Sequence, residues 1–413
     1  MKQYDTYKDS GVQWLGEIPG HWERTRLKNV MKLLNGRAYL QPELQEIGKY
    51  RILRVGNFFT NDRWYYSDME LEPDKYCNKG DLLFAWSASF GPYIWNEEKA
   101  IYHYHIWKVL LGERYDKLYA YYMFLAFSEV KRRDVHGSTM VHLTLQNMNQ
   151  SYIPLPPLSE QRSIVSYLDD KCGMIDEWVT KKQKEVEHLK ELKQRVIADA
   201  VTRGLNPHVK MKETGVFWWK ETPEQWQKLR LGCILQKMNR QRLPNSELLV
   251  CTNKGKVIKR GDTKIGLIAD SEDIYQGVAK GDLLIHGMDT WHGAIAVSNF
   301  NGMCTPVVHV CTSNENLYFV AYYMQVMAYS KIFKIISNGV RQNTSDFRSW
   351  SKVDKIPIML PSKHEQKQIV SYLDAKTSKI DKLIANITKE IECIKEYKQR
   401  LISDVVTGQI KVC

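Results

Sequence analysis

One short pattern in this sequence has the residue types needed to hydrolyse a phosphodiester bond. Asp74 follows Pro73, and the triplet Glu97-Glu98-Lys99 comes after it at the spacing found in many magnesium-dependent nucleases. In such a site Asp74 and Glu98 would hold the metal ion and Lys99 would position the attacking water. The pattern is short and has no counterpart in the second half of the chain. We therefore favour two solvated surface turns, with no catalytic and no metal-binding residues, and keep a self-contained nuclease as an alternative.

The motifs of the common nucleotide-dependent and metal-dependent enzymes are absent from the sequence. It has no G-x-x-x-x-G-K-S/T phosphate loop, no H-E-x-x-H motif and no C-x-x-C pair. An Asn-Pro-Pro-aromatic element, which adenine methyltransferases place around the flipped base, is missing as well. We therefore expect a protein that is not itself an enzyme and that holds no cofactor.

Basic and aromatic side chains are concentrated in two regions, one in each half of the chain. Arginine suits guanine, asparagine and glutamine suit adenine, and lysine suits phosphate, so such regions can bind a nucleic acid. A basic cluster is more often only a solvated face, and the stronger argument is that two divergent basic regions occur in one duplicated chain. The predicted DNA-contacting residues are Arg51, Arg54, Arg63, Lys131, Arg132, Arg133, Ser138, Thr139, Arg240, Arg242, Lys254, Lys256, Lys259, Arg260, Arg341, Gln342 and Asn343.

The composition fits a folded protein with a polyanionic partner. The chain has 413 residues, of which 59 are basic and 47 acidic, giving a net charge of +12. Each Lys or Arg placed on a phosphate releases condensed counterions, although charge alone would also fit an anionic membrane surface. The 8 cysteines are scattered, and neither a signal peptide nor a membrane-spanning apolar run is present. We expect a cytoplasmic protein with no membrane partner.

The elements that must position these residues occur in two copies. The segment E-Q-x-x-I-V-S-Y-L-D at 160–169 returns at 365–374, about half a chain later. A tryptophan–proline–tryptophan motif at 14–22 returns in the same way at 218–226. Solenoid repeats have periods of roughly 20–50 residues, so this chain is instead a duplicated pair of domains.

Each copy ends in a long predicted helix with a heptad pattern. Apolar residues recur in alternating steps of four and three, which predicts a coiled coil between the two helices, as opposed to two helices each buried on its own domain. Lys193 and Lys398 interrupt the two seams at equivalent positions and could set the register or only extend to solvent. The predicted seam consists of Leu168, Ile175, Val179, Val186, Leu189, Val196, Leu373, Ile380, Ile384, Ile391, Ile394 and Leu401.

Prolines, serines and glycines mark the boundaries between the segments. Ser159 and Ser362 are the predicted N-caps of the two helices, and Gly204 and Gly408 are the predicted C-caps. The predicted segments are an N-terminal segment with a first domain at 1–157, a first helix at 158–204, a joint with a second domain at 205–361, a second helix at 362–408 and a tail at 409–413.

Inside each copy the sequence predicts a mixed α/β domain. Long runs without Gly or Pro predict helices at 116–131 and 316–336, and a shared Y-Y-M triplet matches 121–123 with 322–324. His105 and His309 are likewise matched, each in a strand-like run. A paired histidine could contact a base or a phosphate, but we favour side chains that are satisfied in or near the core.

This combination of features resembles the specificity subunit of type I restriction–modification systems. The helix starts at 160–169 and 365–374, each preceded by prolines, are similar to those of that family. So is the joint T-R-G-L-N-P at 202–207, which leads through a K-M-K triplet to Gly215 and Trp218. The likeness covers essentially the whole chain.

The resemblance implies an α+β fold class: two mixed α/β target-recognition domains separated by two long helices, which form an antiparallel coiled coil with a pseudo-two-fold repeat. Each domain would bind one half of a split, asymmetric DNA target, and the helices would act as a ruler. The implied partners are double-stranded DNA, two modification (methyltransferase) subunits and restriction (motor-nuclease) subunits. S-adenosylmethionine, ATP and Mg²⁺ would belong to those partners. A coiled-coil scaffold without DNA contact is the second alternative.

Overall fold

A computed structural model of the chain describes residues 2–59, 61–87, 90–134, 143–241, 246–261, 274–337 and 345–412, and for residues 59, 133 and 134 it describes the backbone alone. The chain divides into two compact units. The first unit consists of Met1–Gln183 and Lys389–Cys413, and the second unit of Lys184–Thr388. Each unit therefore combines one α/β region with parts of two long helices. The division predicted from the sequence, in which each long helix is a segment of its own, stays a prediction.

The α/β region of the first unit is built from short strands and three helices. Its helices are α1 (Val55–Phe59), α2 (Lys117–Asp134) and α3 (Leu145–Gln150), and the long helix α4 (Leu158–Arg203) follows them in the chain. Its strands are β1 (Tyr7–Asp9), β2 (Glu17–Pro19), β3 (Glu23–Arg26), β4 (Met31–Asn35), β5 (Tyr50–Leu53), β6 (Tyr65–Ser67), β7 (Tyr76–Cys77), β8 (Leu82–Ala85), β9 (Gly91–Ile94), β10 (Ala100–Tyr102), β11 (Ile106–Leu111) and β12 (Tyr152–Leu155).

Two four-stranded sheets form the frame of the first unit. One has the strand order β6-β5-β10-β7 and the other β4-β11-β8-β9, while β1-β2 and β3-β12 are separate two-stranded ribbons. Aromatic residues of α2, Tyr119 and Phe124, join Phe84 and Trp107 of the second sheet in one buried core. The helix predicted at 116–131, from a run without Gly or Pro, is confirmed by α2, which packs its apolar face on the strands.

The second unit repeats this frame with its own strands and helices. Its helices are α5 (Leu231–Ile234), α6 (Leu317–Tyr329), α7 (Ile332–Ile336) and α8 (Trp350–Val353), and the long helix α9 (Lys363–Val406) follows them. Its strands are β13 (Met211–Val216), β14 (Trp219–Pro223), β15 (Gln227–Arg230), β16 (Gln236–Met238), β17 (Leu249–Thr252), β18 (Lys256–Lys259), β19 (Gln276–Val278), β20 (Leu283–His286), β21 (Ile295–Val297), β22 (Gly302–Cys304), β23 (Val308–Thr312) and β24 (Pro357–Leu360).

The sheet β16-β23-β20-β21 corresponds to the second sheet of the first unit, and the pairs β13-β14, β15-β24, β17-β18 and β19-β22 complete the frame. The single helix predicted at 316–336 is wrong, because α6 and α7 are separate. Lys331 between them has a φ of 59°, in the left-handed region, which ends the helical path. This break lets Ile332 and Phe333 of α7 lie buried in the same core as α6.

Strand register corrects the predicted match between the two histidines. Trp107 pairs with Phe84 in the first unit, and His309 pairs with Ile285 in the second. Phe84 and Ile285 occupy the same position of the repeated K-G-D-L-L strand, so His309 corresponds to Trp107 and not to His105. Matching the two histidines by residue type was misleading, because the two halves share positions in the sheet and can carry different residues at those positions.

The two long helices are α4 and α9, of 46 and 44 residues. The predicted C-caps are confirmed, since Gly204 and Gly408 have φ angles of 74° and 80°, a conformation that glycine adopts without strain. The Ser362 hydroxyl accepts from Glu365 N at 3.3 Å, as predicted for a cap. The cap predicted at Ser159 is wrong: the Pro157 carbonyl already accepts the first helical bond, from Gln161 N at 3.0 Å, so Pro157 is the capping residue.

Candidate nucleic-acid interface

Three predicted DNA-contacting arginines of the first unit lie against two aromatic rings. The guanidinium carbon of Arg51 lies 5.4 Å from the ring centroid of Trp64, and those of Arg54 and Arg63 lie 5.4 and 5.2 Å from that of Tyr65. All three arginines are exposed. We call these five residues the arginine–aromatic cluster. A ring face orients a guanidinium without neutralising it, so the cluster presents fixed positive charge to solvent.

Arg51 also has an acidic neighbour. Its Nη1 lies 2.6 Å from a carboxylate oxygen of Glu97, and the two side chains are 48% and 51% exposed. An ion pair this exposed contributes at most about 1 kcal/mol, so a phosphate can replace the carboxylate at small cost. The arrangement can therefore bind a nucleic-acid backbone without a large rearrangement.

The other predicted contacts of the first unit lie at the end of α2. Lys131 Nζ lies 5.6 Å from the ring centroid of Phe127. Arg132 donates to the Phe90 carbonyl at 2.6 Å and pairs with Glu129 at 3.2 Å, so it has a structural role at the start of β9. The side chain of Arg133, together with Ser138 and Thr139, lies outside the described residues.

In the second unit four of the predicted basic residues, Lys254, Lys256, Lys259 and Arg260, lie on the β17–β18 hairpin and the residue after it, which we call the lysine hairpin (residues 249–260). Lys254 and Lys256 are exposed at and after its turn, and Arg260 is half-buried. Lys259 pairs with Glu247 and lies 5.6 Å from the ring centroid of Phe300. Lysine at a hairpin tip is a mobile point charge suited to phosphate, unlike the stacked arginines of the first unit.

Arg240 is held by the fold of the second unit. Its two Nη atoms donate to the two carboxylate oxygens of Asp282, which is 3% exposed and also accepts from Ala279 N at 2.7 Å. Removing Arg240 would leave a buried carboxylate without its counter-charge, so this arginine stabilises the loop before β20. The predicted residues Arg242, Arg341, Gln342 and Asn343 lie outside the described residues. As DNA contacts, all of the residues predicted from the sequence remain predictions.

The nuclease-like pattern lies in two turns. Asp74 precedes β7 and pairs with Lys75 at 3.0 Å, while Lys99 precedes β10 and its Nζ lies 3.9 Å from the ring centroid of Tyr76. Glu98 is exposed. Within the described ranges, no group of three or more His, Cys, Asp or Glu side chains is placed to hold a metal ion. These contacts fit the two solvated turns that the sequence favoured.

A tryptophan and a glutamate join each α/β region to the start of a long helix. Trp22 Nε1 donates to Glu160 at 2.9 Å in the first unit, and Trp226 Nε1 donates to Glu365 at 3.1 Å in the second. Both indoles are fully buried. The two most obvious repeated motifs of the sequence are therefore the two ends of one contact, made twice.

The glutamine after each glutamate fixes the helix that follows in the same way. Gln161 Oε1 accepts from Asp116 N at 2.7 Å, and Gln366 Oε1 accepts from Asn316 N at 2.9 Å. Each glutamine is fully buried and donates to a proline carbonyl ahead of its own helix. One buried amide in each unit thus fixes the start of α2 or α6 against the long helix.

A tyrosine–aspartate bond completes this repeated frame and corrects a sequence match. Tyr122 donates to Asp169 at 2.6 Å, and Tyr322 donates to Asp374 at 2.8 Å. Tyr122 therefore corresponds to Tyr322, one residue out of step with the match of the Y-Y-M triplets. Burial also raises the pKa of both hydroxyls, with the bond to the aspartate acting in the same direction.

The two long helices pack antiparallel in each unit. Within the first unit Lys398 Nζ lies 2.7 Å from both carboxylate oxygens of Asp176, and within the second unit Lys193 Nζ lies 2.7 Å from both of Asp381. Each bond joins a residue of α4 to one of α9. All twelve predicted seam residues are buried or half-buried on these helices.

The sequence did not point to two corresponding turns, one on the exposed surface of each α/β region. The turn between β10 and β11 carries residues 103–105, and the turn between β22 and β23 carries residues 305–307. Neither was singled out, because matching by letters gave the wrong partner to His105. A register-based alignment of the two halves would have placed the turns opposite one another.

The model of the family described as type I restriction modification DNA specificity domain matches residues 19–188 and 223–393. Each match begins near the buried tryptophan of one copy and extends into the long helix that follows. The family match therefore occurs twice and reproduces the duplication seen in the sequence and in the frame contacts.

Two individual relatives match over nearly the whole length of the chain, and a third matches over about half of it. The putative type I restriction enzyme MjaX specificity subunit of Methanocaldococcus jannaschii is 26% identical over 430 residues, which covers 96% of this chain and 96% of that protein. The MjaVIII specificity subunit of the same organism is 23% identical and covers 96% and 94%. The EcoBI specificity subunit of Escherichia coli is 23% identical over 55% of this chain.

A solved structure supports the fold. A chain from the work titled "Structural basis underlying complex assembly and conformational transition of the type I R-M system" superposes with a TM-score of 0.68 at 15% identity, covering 95% of this chain and 99% of that one. The predicted α+β class with two mixed domains and an antiparallel pair of long helices is confirmed. Across the parts of the chain described here, no helix is both long and apolar enough to cross a membrane.

Proposed function

We propose, from the premise that this chain belongs to the family of type I restriction modification DNA specificity domains, that its two units read the two parts of one split, asymmetric DNA target. The chain is a type I restriction–modification specificity subunit with a specificity domain in each half. The resemblance stated from the sequence is thereby confirmed. What each unit reads, and with which residues, is the content of the proposal.

The observation that supports this reading most directly is a constant frame with variable surfaces. The Trp–Glu, Gln and Tyr–Asp bonds recur in both units at nearly equal distances. The first unit then presents stacked arginines in the arginine–aromatic cluster, whereas the second presents the lysine hairpin. Two surfaces of different chemistry on one frame are expected to bind two different DNA sequences.

Catalysis is assigned to partner subunits in this proposal. Two modification (methyltransferase) subunits would supply S-adenosylmethionine chemistry, and restriction (motor-nuclease) subunits would supply ATP- and Mg²⁺-dependent steps, while this chain supplies DNA specificity in the cytoplasm. A modification subunit that flips its target base needs only to be placed on it. The long helices, whose exposed outer faces are mostly polar but also carry Met174, Leu192 and Leu383, are the proposed docking surface for these partners.

Mapping methylated positions in the source genome, with and without this gene, tests the proposal. We expect a motif with two specified parts that differ in sequence and are separated by an unspecified spacer, and we expect the motif to disappear with the gene. A single undivided motif, or methylation that persists without the gene, would contradict the proposal. Purified complex adds a second test, since binding to a duplex that carries the motif should fall steeply with salt.

The scaffold alternative predicts a different result in the same assay. A coiled-coil protein that never contacts DNA would leave duplex affinity unchanged when the arginine–aromatic cluster is replaced by alanines. The nuclease alternative predicts cutting by the chain with Mg²⁺ alone and loss of cutting in Asp74→Ala. Our proposal expects weakened DNA binding in the first case and no cutting by the chain alone in the second.

A further inference from the structure

Two three-residue turns occupy the same place in the two units. Residues 103–105 (His-Tyr-His) join β10 to β11, and residues 305–307 (Thr-Pro-Val) join β22 to β23. Each turn is closed by a bond from the first residue of the next strand: Ile106 N to His103 O at 2.9 Å, and Val308 N to Thr305 O at 3.1 Å. The two turns are therefore closed by the same backbone bond, although they have no residue type in common.

Both turns are also fastened to the neighbouring strand in the same way. Trp86 N donates to His105 O at 3.0 Å, and Gly287 N donates to Val307 O at 2.9 Å. Trp86 is the first residue after β8, and Gly287 is the first residue after β20. The exposure also agrees, since each turn has an exposed central residue between two half-buried ones.

A stack of aromatic rings supports the turn of the first unit. Phe84 stacks on Trp107 with ring centroids 5.9 Å apart, and Trp107 stacks on Trp86 at 5.8 Å. Trp86 in turn meets His105 edge to face at 4.9 Å, and its Nε1 donates to Tyr104 O at 2.8 Å. The rings of the turn are thus held from the buried core upward, which lowers the entropy lost when they contact a ligand.

The second unit supports its turn by a different device. A side chain at Gly287 would have its Cβ 2.9 Å from Val307 O and 3.0 Å from Phe347 O, so glycine is required there. Phe347 N donates to Gly287 O at 3.1 Å, and Ser345 N donates to Met288 O at 2.8 Å. A chain segment therefore takes the place that the Trp86 ring fills in the first unit, and the turn keeps its backbone.

The turn of the first unit adjoins the arginine–aromatic cluster. His103 N donates to Leu53 O at 2.9 Å, immediately before Arg54. Burial, together with the nearby His105 and Arg54, lowers the pKa of His103 to about 4, so its ring is neutral at pH 7 and can both donate and accept a hydrogen bond. Tyr104, the central residue, is 38% exposed.

We propose that residues 103–105 and 305–307 are corresponding specificity-determining turns, whose side chains read bases in the two parts of the DNA target. The inference rests on the proposed function and adds the residues that carry it. Histidine and tyrosine can form hydrogen bonds to base edges and stack on bases, whereas the Thr-Pro-Val turn offers one hydroxyl and apolar contacts of the kind that suit the thymine methyl group. The stacked arginines, which adjoin the first turn, and the lysine hairpin of the second unit then position the DNA through its phosphates.

An exchange of the two turns within the full modification complex tests this. One variant carries His103→Thr, Tyr104→Pro and His105→Val, and the reciprocal variant carries Thr305→His, Pro306→Tyr and Val307→His. Each complex methylates a randomised duplex library, and sequencing gives the preferred motif. The first exchange should change preference by about 5- to 150-fold at one or two positions in one part of the motif, and the second should do so only in the other part. Motifs unchanged in both parts would overturn the proposal.

Single substitutions keep the test valid if an exchanged turn unfolds. Tyr104→Ala should relax selection in the same part of the motif, and Tyr104→Phe should do so only where the hydroxyl is read. Tyr318→Ala is the matched control and should leave both parts unchanged. Tyr318 is 43% exposed, and its hydroxyl contacts Asn299 past the end of β21 that pairs with Leu283, whereas the turn contacts Gly287 at the other end of β20. Selection by Tyr104→Ala identical to wild type would overturn the proposal. A wild-type complex without a two-part motif would instead overturn the proposed function.

Discussion

Lys398 Nζ lies 2.7 Å from both carboxylate oxygens of Asp176, and so ties the end of α9 to the first half of α4. Lys193 makes the same pair of contacts to Asp381 in the second unit. The seam lysines thus do more than extend to solvent: each selects one aspartate of the antiparallel helix. A polar pair at a seam defines register, because any slip of one helix separates the charges.

Reversing this ion pair tests the register. Lys398→Asp should lower the free energy of unfolding by about 1 kcal/mol or somewhat more, because it places two carboxylates face to face. Adding Asp176→Lys should recover most of the loss in urea denaturation. Lys395→Asp, a change on an exposed position of the same helix, is the control and should have little effect. A double variant no more stable than Lys398→Asp would contradict the register.

The half-buried Glu160 carboxylate, which accepts the hydrogen bond from Trp22, should make the first unit sensitive to acid. Burial opposes ionisation of Glu160, but hydrogen bonds from Trp22, His21 and Tyr4 outweigh it and lower the pKa of this carboxyl below its ordinary 4.5. The charged form therefore stabilises the fold above about pH 4.5, and this contribution is lost as the pH falls through the lower folded-state value.

Glu160→Gln should therefore cost about 2 kcal/mol at pH 7 and flatten the decline in stability below pH 4.5. Urea unfolding at pH 7, 5 and 4 measures both effects. Glu113→Gln, an exposed glutamate of the same unit, is the control. An acid decline equally steep in wild type and Glu160→Gln would show that this carboxyl does not carry it.

The arginine–aromatic cluster should contribute charge and little sequence preference. Replacing Arg54 and Arg63 together by alanine should reduce the slope of log affinity against log salt by about 2, because two phosphate contacts are lost. Lysine at both positions should keep most of the slope while losing the stacking on Tyr65. Fluorescence anisotropy with the modification complex from 50 to 300 mM salt measures it.

Arg114→Ala, an exposed arginine of the first unit that pairs with Glu23 and lies outside the long helices, is the matched control for the loss of charge. We expect its salt slope to equal that of the wild type. A slope unchanged in Arg54→Ala/Arg63→Ala as well would mean that the cluster does not contact the DNA backbone.

The ruler hypothesis predicts the effect of shortening both helices. Deleting residues 186–192 from α4 and 382–388 from α9 removes one heptad from each helix and keeps the phase of the seam. One heptad corresponds to about 10 Å of helix, or about 3 bp of DNA. The unspecified spacer of the methylated motif should shorten by about that amount, with both specified parts unchanged.

Deleting 186–192 alone should instead disrupt the seam and abolish methylation. With α4 one heptad shorter than α9, the pairs Asp176–Lys398 and Lys193–Asp381 cannot both form. Both variants are read by sequencing the methylated positions. A spacer that stays the same in the paired deletion would contradict the ruler.

The sequence by itself determined the large-scale organisation. A repeat carried by whole motifs, together with steps of four and three along two long runs, was enough to predict two related α/β domains and a helix pair, because heptad spacing reports directly on which side of a helix is buried. It also supplied the basic residues of both surfaces, since charge and residue type can be read without a fold.

Only the tertiary structure decided which residues of the two halves correspond. Matching letters paired His105 with His309 and misplaced Tyr322 by one residue, whereas strand register and the bonds to Asp169 and Asp374 pair His309 with Trp107 and Tyr322 with Tyr122. The physical reason is that hydrogen bonding and burial conserve a position in the frame, while the side chain at that position is free to change. The turns at 103–105 and 305–307 share a backbone and no side chains, so a comparison of letters could not have found them.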